Sequence, residues 1–253
     1  MPITLPALDR TALLLDLDGT LVDLAPTPES VVAPPELLAT LRALRPMLGD
    51  ALAIISGRPV EQVEALLPDV PYAIVGEHGG AVRSGPGMAI ARPNLPAVPG
   101  PWLDAADRIA LAEPGTRVER KVRGFVLHYR AVPASGPRLR TALQPIVTDP
   151  RFEILPASMA WEVRPRGVDK GTAVRLLMQA APFDGRLPLF IGDDVTDWDA
   201  IRTANAMGGT GLLVEEHFAG PRDVRGWLQR AALTGAWVPL INWRGNSPNR
   251  LKL

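Results

Sequence analysis

The 253-residue chain carries 27 Lys+Arg against 27 Asp+Glu, with 47% hydrophobic and 5% aromatic residues, a globular composition that argues against disorder, collagen or a coiled coil. Zero formal charge offers no broad electrostatic footprint for nucleic acid or an anionic membrane, and zero cysteines exclude disulfides, thiol nucleophiles and thiolate metal sites. The first apolar run, residues 12–15, is cut by Asp16, so neither a signal peptide nor a membrane span is expected, and a cytoplasmic protein is the reading.

Taken in chain order, residues 12–17 form an apolar run too short for a buried helix and are read as a buried strand. A helix is predicted over 35–45, after Pro34, then a strand over 51–56, a helix over 59–67 and a strand over 72–75. A Pro/Gly-rich stretch, 84–101, then opens a segment with its own rhythm: helix 102–112, strands 117–121 and 125–130, helix 137–147, strands 151–155 and 159–164. That is αββ written twice, which suits one antiparallel sheet with its helices on one face. Helix 171–180 and strand 187–191 return to the first pattern. The expectation is therefore an α/β fold with a doubly wound parallel sheet, residues 1–84 and 167–253, interrupted by an inserted α+β cap domain, residues 85–166. After Gly235 the chain reads as a docked segment and then a frayed terminus.

In open parallel sheets, ligands bind beyond the carboxyl ends of the strands. Two acidic groups fall there. Leu13-Leu14-Leu15-Asp16-Leu17-Asp18-Gly19-Thr20 places two carboxylates at the end of an apolar strand, and Gly192-Asp193-Asp194-Val195-Thr196-Asp197 follows another. Unpaired carboxylates in such positions would cost several kcal/mol each, and like charges ~4 Å apart repel by ~4 kcal/mol per pair at an intermediate dielectric. A compensating cation is needed, and with oxygen donors alone Mg²⁺ is the natural candidate. Ser56, with the backbone of Gly57, ends the second strand at a helix start suited to a phosphate oxygen.

Lysine usage singles out two further positions. Only Lys121, Lys170 and Lys252 are lysines, so 24 of the 27 basic residues are arginine. An ammonium is a compact point charge where guanidinium is a planar fork, so the rare lysines mark places that need the former. Lys170 opens a helix, where a cation is unfavourable unless anions face it, and it is read as facing phosphate and nucleophile.

Asp-Leu-Asp-Gly-Thr, a Ser after strand two, a Lys, and Gly-Asp-Asp-x-x-Asp, in that order, resemble the haloacid dehalogenase-like phosphohydrolases. The resemblance implies a Rossmann-like core in which Asp16 attacks phosphorus, Asp18 is general acid and base, and Ser56, Gly57 and Lys170 hold the phosphoryl group. It further implies that Asp16, the Asp18 backbone carbonyl and Asp193 surround Mg²⁺, with Asp194 and Asp197 behind them. An aspartyl-phosphate intermediate would split hydrolysis into two steps. Gly76-Glu77-His78-Gly79, Glu119-Arg120-Lys121 with His128-Tyr129-Arg130, and Glu162-Val163-Arg164-Pro165-Arg166-Gly167 are similar to the trehalose-phosphate phosphatases within that superfamily. That similarity implies trehalose 6-phosphate as substrate, a monomer, and sugar contacts from Lys121, Glu162, Arg164, His128, Glu77 and His78. The chain departs from the family at Trp198, where a Glu is usual, and Asp199 is a candidate substitute. Alternatives within enzymes are a phosphatase for another sugar phosphate, such as sucrose 6-phosphate, or a phosphomutase. From another class, a receiver-like or non-catalytic binding protein would use a similar carboxylate set, although a receiver should lack both Asp18 and the cap.

Overall fold

β1 (Thr11–Leu15) is buried at every residue, which explains why its sequence is continuously apolar rather than alternating. It heads a computed structural model that describes residues 3, 5–25, 27, 30–92, 95–121, 123–157 and 159–243. In chain order there follow α1 (Pro35–Met47), β2 (Leu52–Ile55), α2 (Val60–Leu66), β3 (Ala73–Gly76), β4 (Ala81–Arg83), α3 (Gly100–Ala112), β5 (Arg117–Arg120), β6 (Phe125–His128), α4 (Gly136–Leu143), β7 (Phe152–Ala157), β8 (Ala160–Pro165), α5 (Lys170–Leu177), β9 (Leu187–Gly192), α6 (Trp198–Ala206), β10 (Thr210–Leu213), α7 (Val214–His217), α8 (Pro221–Thr234) and α9 (Leu240–Trp243). The chain divides into two units: Met1–Arg92 with Asp169–Leu253, and Pro93–Val168.

Unit one holds a six-stranded sheet ordered β10-β9-β1-β2-β3-β4, parallel except for β4. The chain runs outward from β1 through β2 and β3, then returns to β9 on the other side of β1, so strand order reverses beside β1. That reversal opens a crevice at the strand ends. Alternate residues of β1 serve opposite layers, as a period of two requires. Leu13 and Leu15 pack with Leu37, Leu41 and Leu44 of α1 and Trp227 of α8, while Leu14 packs with Val174 of α5 and Ala200 of α6. Trp237 stacks on Trp227 at 4.8 Å, and Trp227 Nε1 donates to the Val238 carbonyl at 2.9 Å, so the segment after Gly235 is docked. The expected frayed terminus, 244–253, lies outside the described residues.

Unit two is a four-stranded antiparallel sheet ordered β5-β6-β8-β7. Phe125, Leu127, Phe152 and Val163 point to the face that packs with Trp102 and Ala106 of α3 and Leu139 and Leu143 of α4. The strand register places Glu119, Val126 and Glu162 in one cross-strand row, with His128, Glu153 and Arg164 two residues along on the same side. Apolar and polar residues therefore separate by face, as strand alternation dictates.

The unit boundaries differ from those read on sequence. Residues 85–92 stay with unit one, because Val82 and Ala91 exchange both backbone hydrogen bonds at 2.8 Å and Arg92 reaches Glu61 and Glu77. At the return, Gly167 and Val168 group with unit two. β4 and β10 are additional to the predicted strands, being three and four residues long and poor in sequence signal.

Candidate active site

Asp16 directly follows β1, and Lys170 opens α5. The Lys170 ammonium donates to Asp16 Oδ1 at 2.7 Å and to Asp197 Oδ1 at 2.6 Å, with the three side chains 3%, 6% and 0% exposed. Burial works against the lysine's charge, but attraction to Asp16 and Asp197 outweighs it and holds Lys170 above the ordinary lysine value. Burial pushes the Asp16 carboxyl up to about 6 against the pull of Lys170, with Asp193 adding repulsion. Burial and repulsion from Asp16 take Asp197 up to about 7 against the same ammonium.

Asp197 is tied on its other oxygen as well: Oδ2 accepts from the backbone N–H of Asp193 at 3.0 Å and of Asp194 at 3.1 Å. It therefore fixes the turn after β9 and the lysine together. Gly192 permits this, since a Cβ there would meet the Asp197 carboxyl within 2.3 Å. Asp194 has a local task, its Oδ1 accepting from Thr196 N–H at 2.7 Å and Thr196 Oγ1–H at 2.6 Å.

Asp193 projects toward β1. Thr20 Oγ1 donates to its Oδ1 at 3.2 Å, and its carboxyl also hydrogen-bonds Asp16. Burial, with Asp197 and Asp194 adding repulsion, holds it above the usual aspartate value. Gly19 adopts φ +77°, and a Cβ there would sit 2.1 Å from Asp193 Oδ2, so only glycine fits this turn. Asp16, Asp193 and Asp197 each offer a carboxylate oxygen, all within 4.8 Å of one another. Two of these carboxyls in mutual contact, all-oxygen donors and a close backbone turn suit a hard divalent cation. Asp197 is engaged through both oxygens by Lys170 and two backbone amides, which leaves Asp16 and Asp193 as the side chains suited to serve it.

Ser56, 1% exposed, directly follows β2. Its Oγ accepts from the Arg58 N–H at 3.2 Å, and its carbonyl accepts from the His78 N–H at 3.0 Å. His78 lies across Gly57, where a Cβ would come within 2.6 Å of the ring. Glu77 and His78 both hold positive φ, at 54° and 55°, and Glu77 Oε1 pairs with Arg92 at 3.3 Å. Glu77 and His78 thus shape the loop beside Ser56.

Sequence reasoning did not single out Arg58 or Thr20. Arg58 Nε donates to Asp18 Oδ2 at 2.6 Å and Nη2 to Asp18 Oδ1 at 2.7 Å, so the carboxyl of Asp18 is held by a guanidinium and stands outside the carboxylate cluster. The one local signal was position, two residues after Ser56 in Ser-Gly-Arg. Asp199 Oδ1 accepts from Arg202 Nη2 at 2.7 Å on the exposed side of α6.

On the polar face of unit two, Glu119 joins Lys121 and, at 2.7 Å, His128 Nε2. Burial opposes the charge of Glu119, but these two hydrogen bonds prevail and hold its carboxyl below the usual range. Glu162 is held above the usual range by burial, partly countered by Arg164 and Lys121. Arg164 lies 3.6 Å from Glu153. Lys121, His128, Glu162 and Arg164 thus share one mixed-charge surface.

Among the described residues no helix is long and apolar enough to cross a membrane. A family model described as trehalose-phosphatase matches residues 14–219. The chain is 34% identical over 229 residues to the trehalose-6-phosphate phosphatase of Escherichia coli, covering 87% of this chain and 86% of that protein. It is 34% identical over 212 residues to a probable trehalose-phosphate phosphatase of Sinorhizobium fredii, covering 82% and 78%. Among solved structures, the trehalose-6-phosphate phosphatase of Aspergillus fumigatus aligns with a TM-score of 0.66 at 23% identity, over 89% of this chain and 93% of that one, a likeness of fold.

Proposed function

The chain belongs to the trehalose-phosphatase family, and from that premise we propose that it hydrolyses trehalose 6-phosphate to trehalose and phosphate through a phosphoenzyme on Asp16. The observation that carries the mechanism is the buried Asp16–Lys170–Asp197 arrangement at the ends of β1 and β9, with Asp193 against Asp16. A desolvated carboxylate fixed by an ammonium is a preorganised nucleophile.

In the first step Asp16 Oδ attacks phosphorus, the bond from phosphorus to the sugar oxygen breaks, and Asp18 gives a proton to the departing oxygen. In the second, water attacks phosphorus, Asp18 takes its proton, and Asp16 returns to a carboxylate as phosphate leaves. Ser56 Oγ–H, the backbone at Gly57 and the Lys170 ammonium hold the phosphoryl oxygens. Asp16, Asp193 and the Asp18 backbone carbonyl would hold Mg²⁺, which supplies charge neutralisation and Lewis-acid polarisation of the phosphoryl group when bound. Asp197 keeps Lys170 and the Asp193 turn in place.

The groups on the phosphorus side are common to all phosphomonoesters, so choice among sugars falls to side chains that meet hydroxyls. Glu162 accepts from sugar hydroxyls, while Lys121, Arg164 and His128 supply opposite polarity.

The test is phosphate release with Mg²⁺ from trehalose 6-phosphate, sucrose 6-phosphate, glucose 6-phosphate and p-nitrophenyl phosphate. The highest kcat/KM is expected for trehalose 6-phosphate, and chelation by EDTA should abolish turnover until Mg²⁺ is restored. A preference for another sugar phosphate would overturn the substrate. Undiminished release after verified metal removal would overturn the mechanism.

A further inference from the structure

Arg58 has no part in the steps above, yet its side chain is 10% exposed and grips Asp18 through two short parallel bonds, 2.6 Å and 2.7 Å. Its backbone belongs to the Ser56–Gly57 turn: the Arg58 N–H donates to Ser56 Oγ at 3.2 Å, and its carbonyl accepts from the Glu77 N–H at 3.0 Å. The guanidinium is thus anchored on the loop that would hold the phosphoryl group, and it reaches the carboxyl that would serve the leaving oxygen.

An aspartate carboxyl has two side-chain rotors, and a single hydrogen bond leaves its plane free to turn. A planar fork bonded to both oxygens fixes position and plane together. Each carboxyl oxygen carries two lone pairs, so two bonds from Arg58 leave one on each oxygen for a proton or a hydroxyl.

We propose that Arg58 is a positioning residue that sets the plane of the Asp18 carboxyl for proton transfer to the sugar oxygen as the phosphorus–oxygen bond breaks. The proposal rests on the reading of Asp18 as the general acid. Asp18 still gives the proton and takes one back from water in the second step, and Arg58 neither gains nor loses one.

Leaving-group dependence separates positioning from phosphate binding. A sugar oxygen departs as a poor leaving group and needs the proton, whereas p-nitrophenolate departs without it, and kcat/KM reports the step in which either leaves. Arg58→Ala, Arg58→Lys and Asp18→Asn are compared with wild type on trehalose 6-phosphate and p-nitrophenyl phosphate. Arg58→Ala should lower kcat/KM by about 10- to 100-fold on the sugar phosphate and by under about threefold on the aryl phosphate. Arg58→Lys keeps the charge without the fork and should resemble Arg58→Ala.

Equal losses on both substrates, which phosphate binding or a folding defect would produce, overturn the proposal, as does no loss on either. Asp18→Asn should show the same selectivity more strongly. Selective loss in Asp18→Asn but not in the Arg58 variants sinks the positioning role alone. Equal loss on both substrates in Asp18→Asn sinks the reading of Asp18 and the proposal with it.

Discussion

The charged groups of unit one and those on the polar face of unit two obey different physics. Lys170, Asp16 and Asp197 are 3%, 6% and 0% exposed, and the ammonium bonds both carboxylates at 2.6–2.7 Å. Lys121, Glu119 and His128 are 49%, 35% and 30% exposed in pairs of similar length. A buried charge left without its partner costs several kcal/mol, whereas a solvated pair contributes ~0–1 kcal/mol. The buried cluster of unit one is therefore tied to stability, while the Glu119, Lys121 and His128 group of unit two can change at small cost to the fold. On the proposed function, phosphoryl chemistry falls to the first arrangement and sugar recognition to the second.

Lys170→Met should break this contrast most visibly. The stem is replaced at similar length, but Asp16 and Asp197 are left facing each other without a cation, and unfolding by urea should register a loss of about 3–5 kcal/mol near pH 8. The loss should shrink toward pH 5. Lys170 counters the upward push of burial on both carboxyls, so without it their folded-state values rise further, they bind protons more tightly when folded, and the variant loses more stability than wild type as pH rises. A pH-independent change under 1 kcal/mol would show that the buried ammonium does not hold the cluster.

Asp16→Asn tests the chemistry with less disturbance. Loss of the Lys170 pairing is offset by relief of repulsion with Asp193, and Lys170 keeps Asp197, so folding free energy should move by no more than about 1 kcal/mol. Turnover should nevertheless fall by about 10⁴-fold or more, and no phosphoenzyme should be trapped. A trapped phosphoenzyme on this variant would assign the nucleophile elsewhere.

Glu162→Ala sharpens the other side. It should leave the thermal unfolding midpoint within a few degrees of wild type, lower kcat/KM on trehalose 6-phosphate by about 10- to 100-fold, and barely affect p-nitrophenyl phosphate. An equal loss on both substrates would place Glu162 with the phosphoryl group or the fold instead of the sugar.

Much of this was legible locally. A strand buried on both faces reads as an unbroken apolar run, and two acids closing such a run announce an unusual environment before any coordinate is known, which is why β1, β2, β3 and β9 and the placing of Asp16 and Asp193 at strand ends come from sequence. The αββ rhythm of unit two is equally local, because strand alternation and helix periodicity are nearest-neighbour patterns. β4 and β10 were not legible, since Ala-Val-Arg and Thr-Gly-Leu-Leu lack the unbroken apolar run that marks β2, and they are strands because neighbours complete their hydrogen bonds.

Composition and local pattern therefore determined the α/β class, the alternation of elements and the identity of the strand-end acids. The tertiary structure alone decided who pairs with whom. Lys170 meets Asp16 across 154 positions of sequence and Asp197 across 27, and Arg58 finds Asp18 across 40. It also separated two aspartates that look alike in Gly-Asp-Asp-Val-Thr-Asp: Asp194 caps its own turn, while Asp197 holds Lys170 and two backbone amides. The reason is range. Propensity and periodicity act over a few residues, whereas the energy of a charge depends on which distant groups the folded sheet brings within about 3 Å of it and on how much water it shuts out.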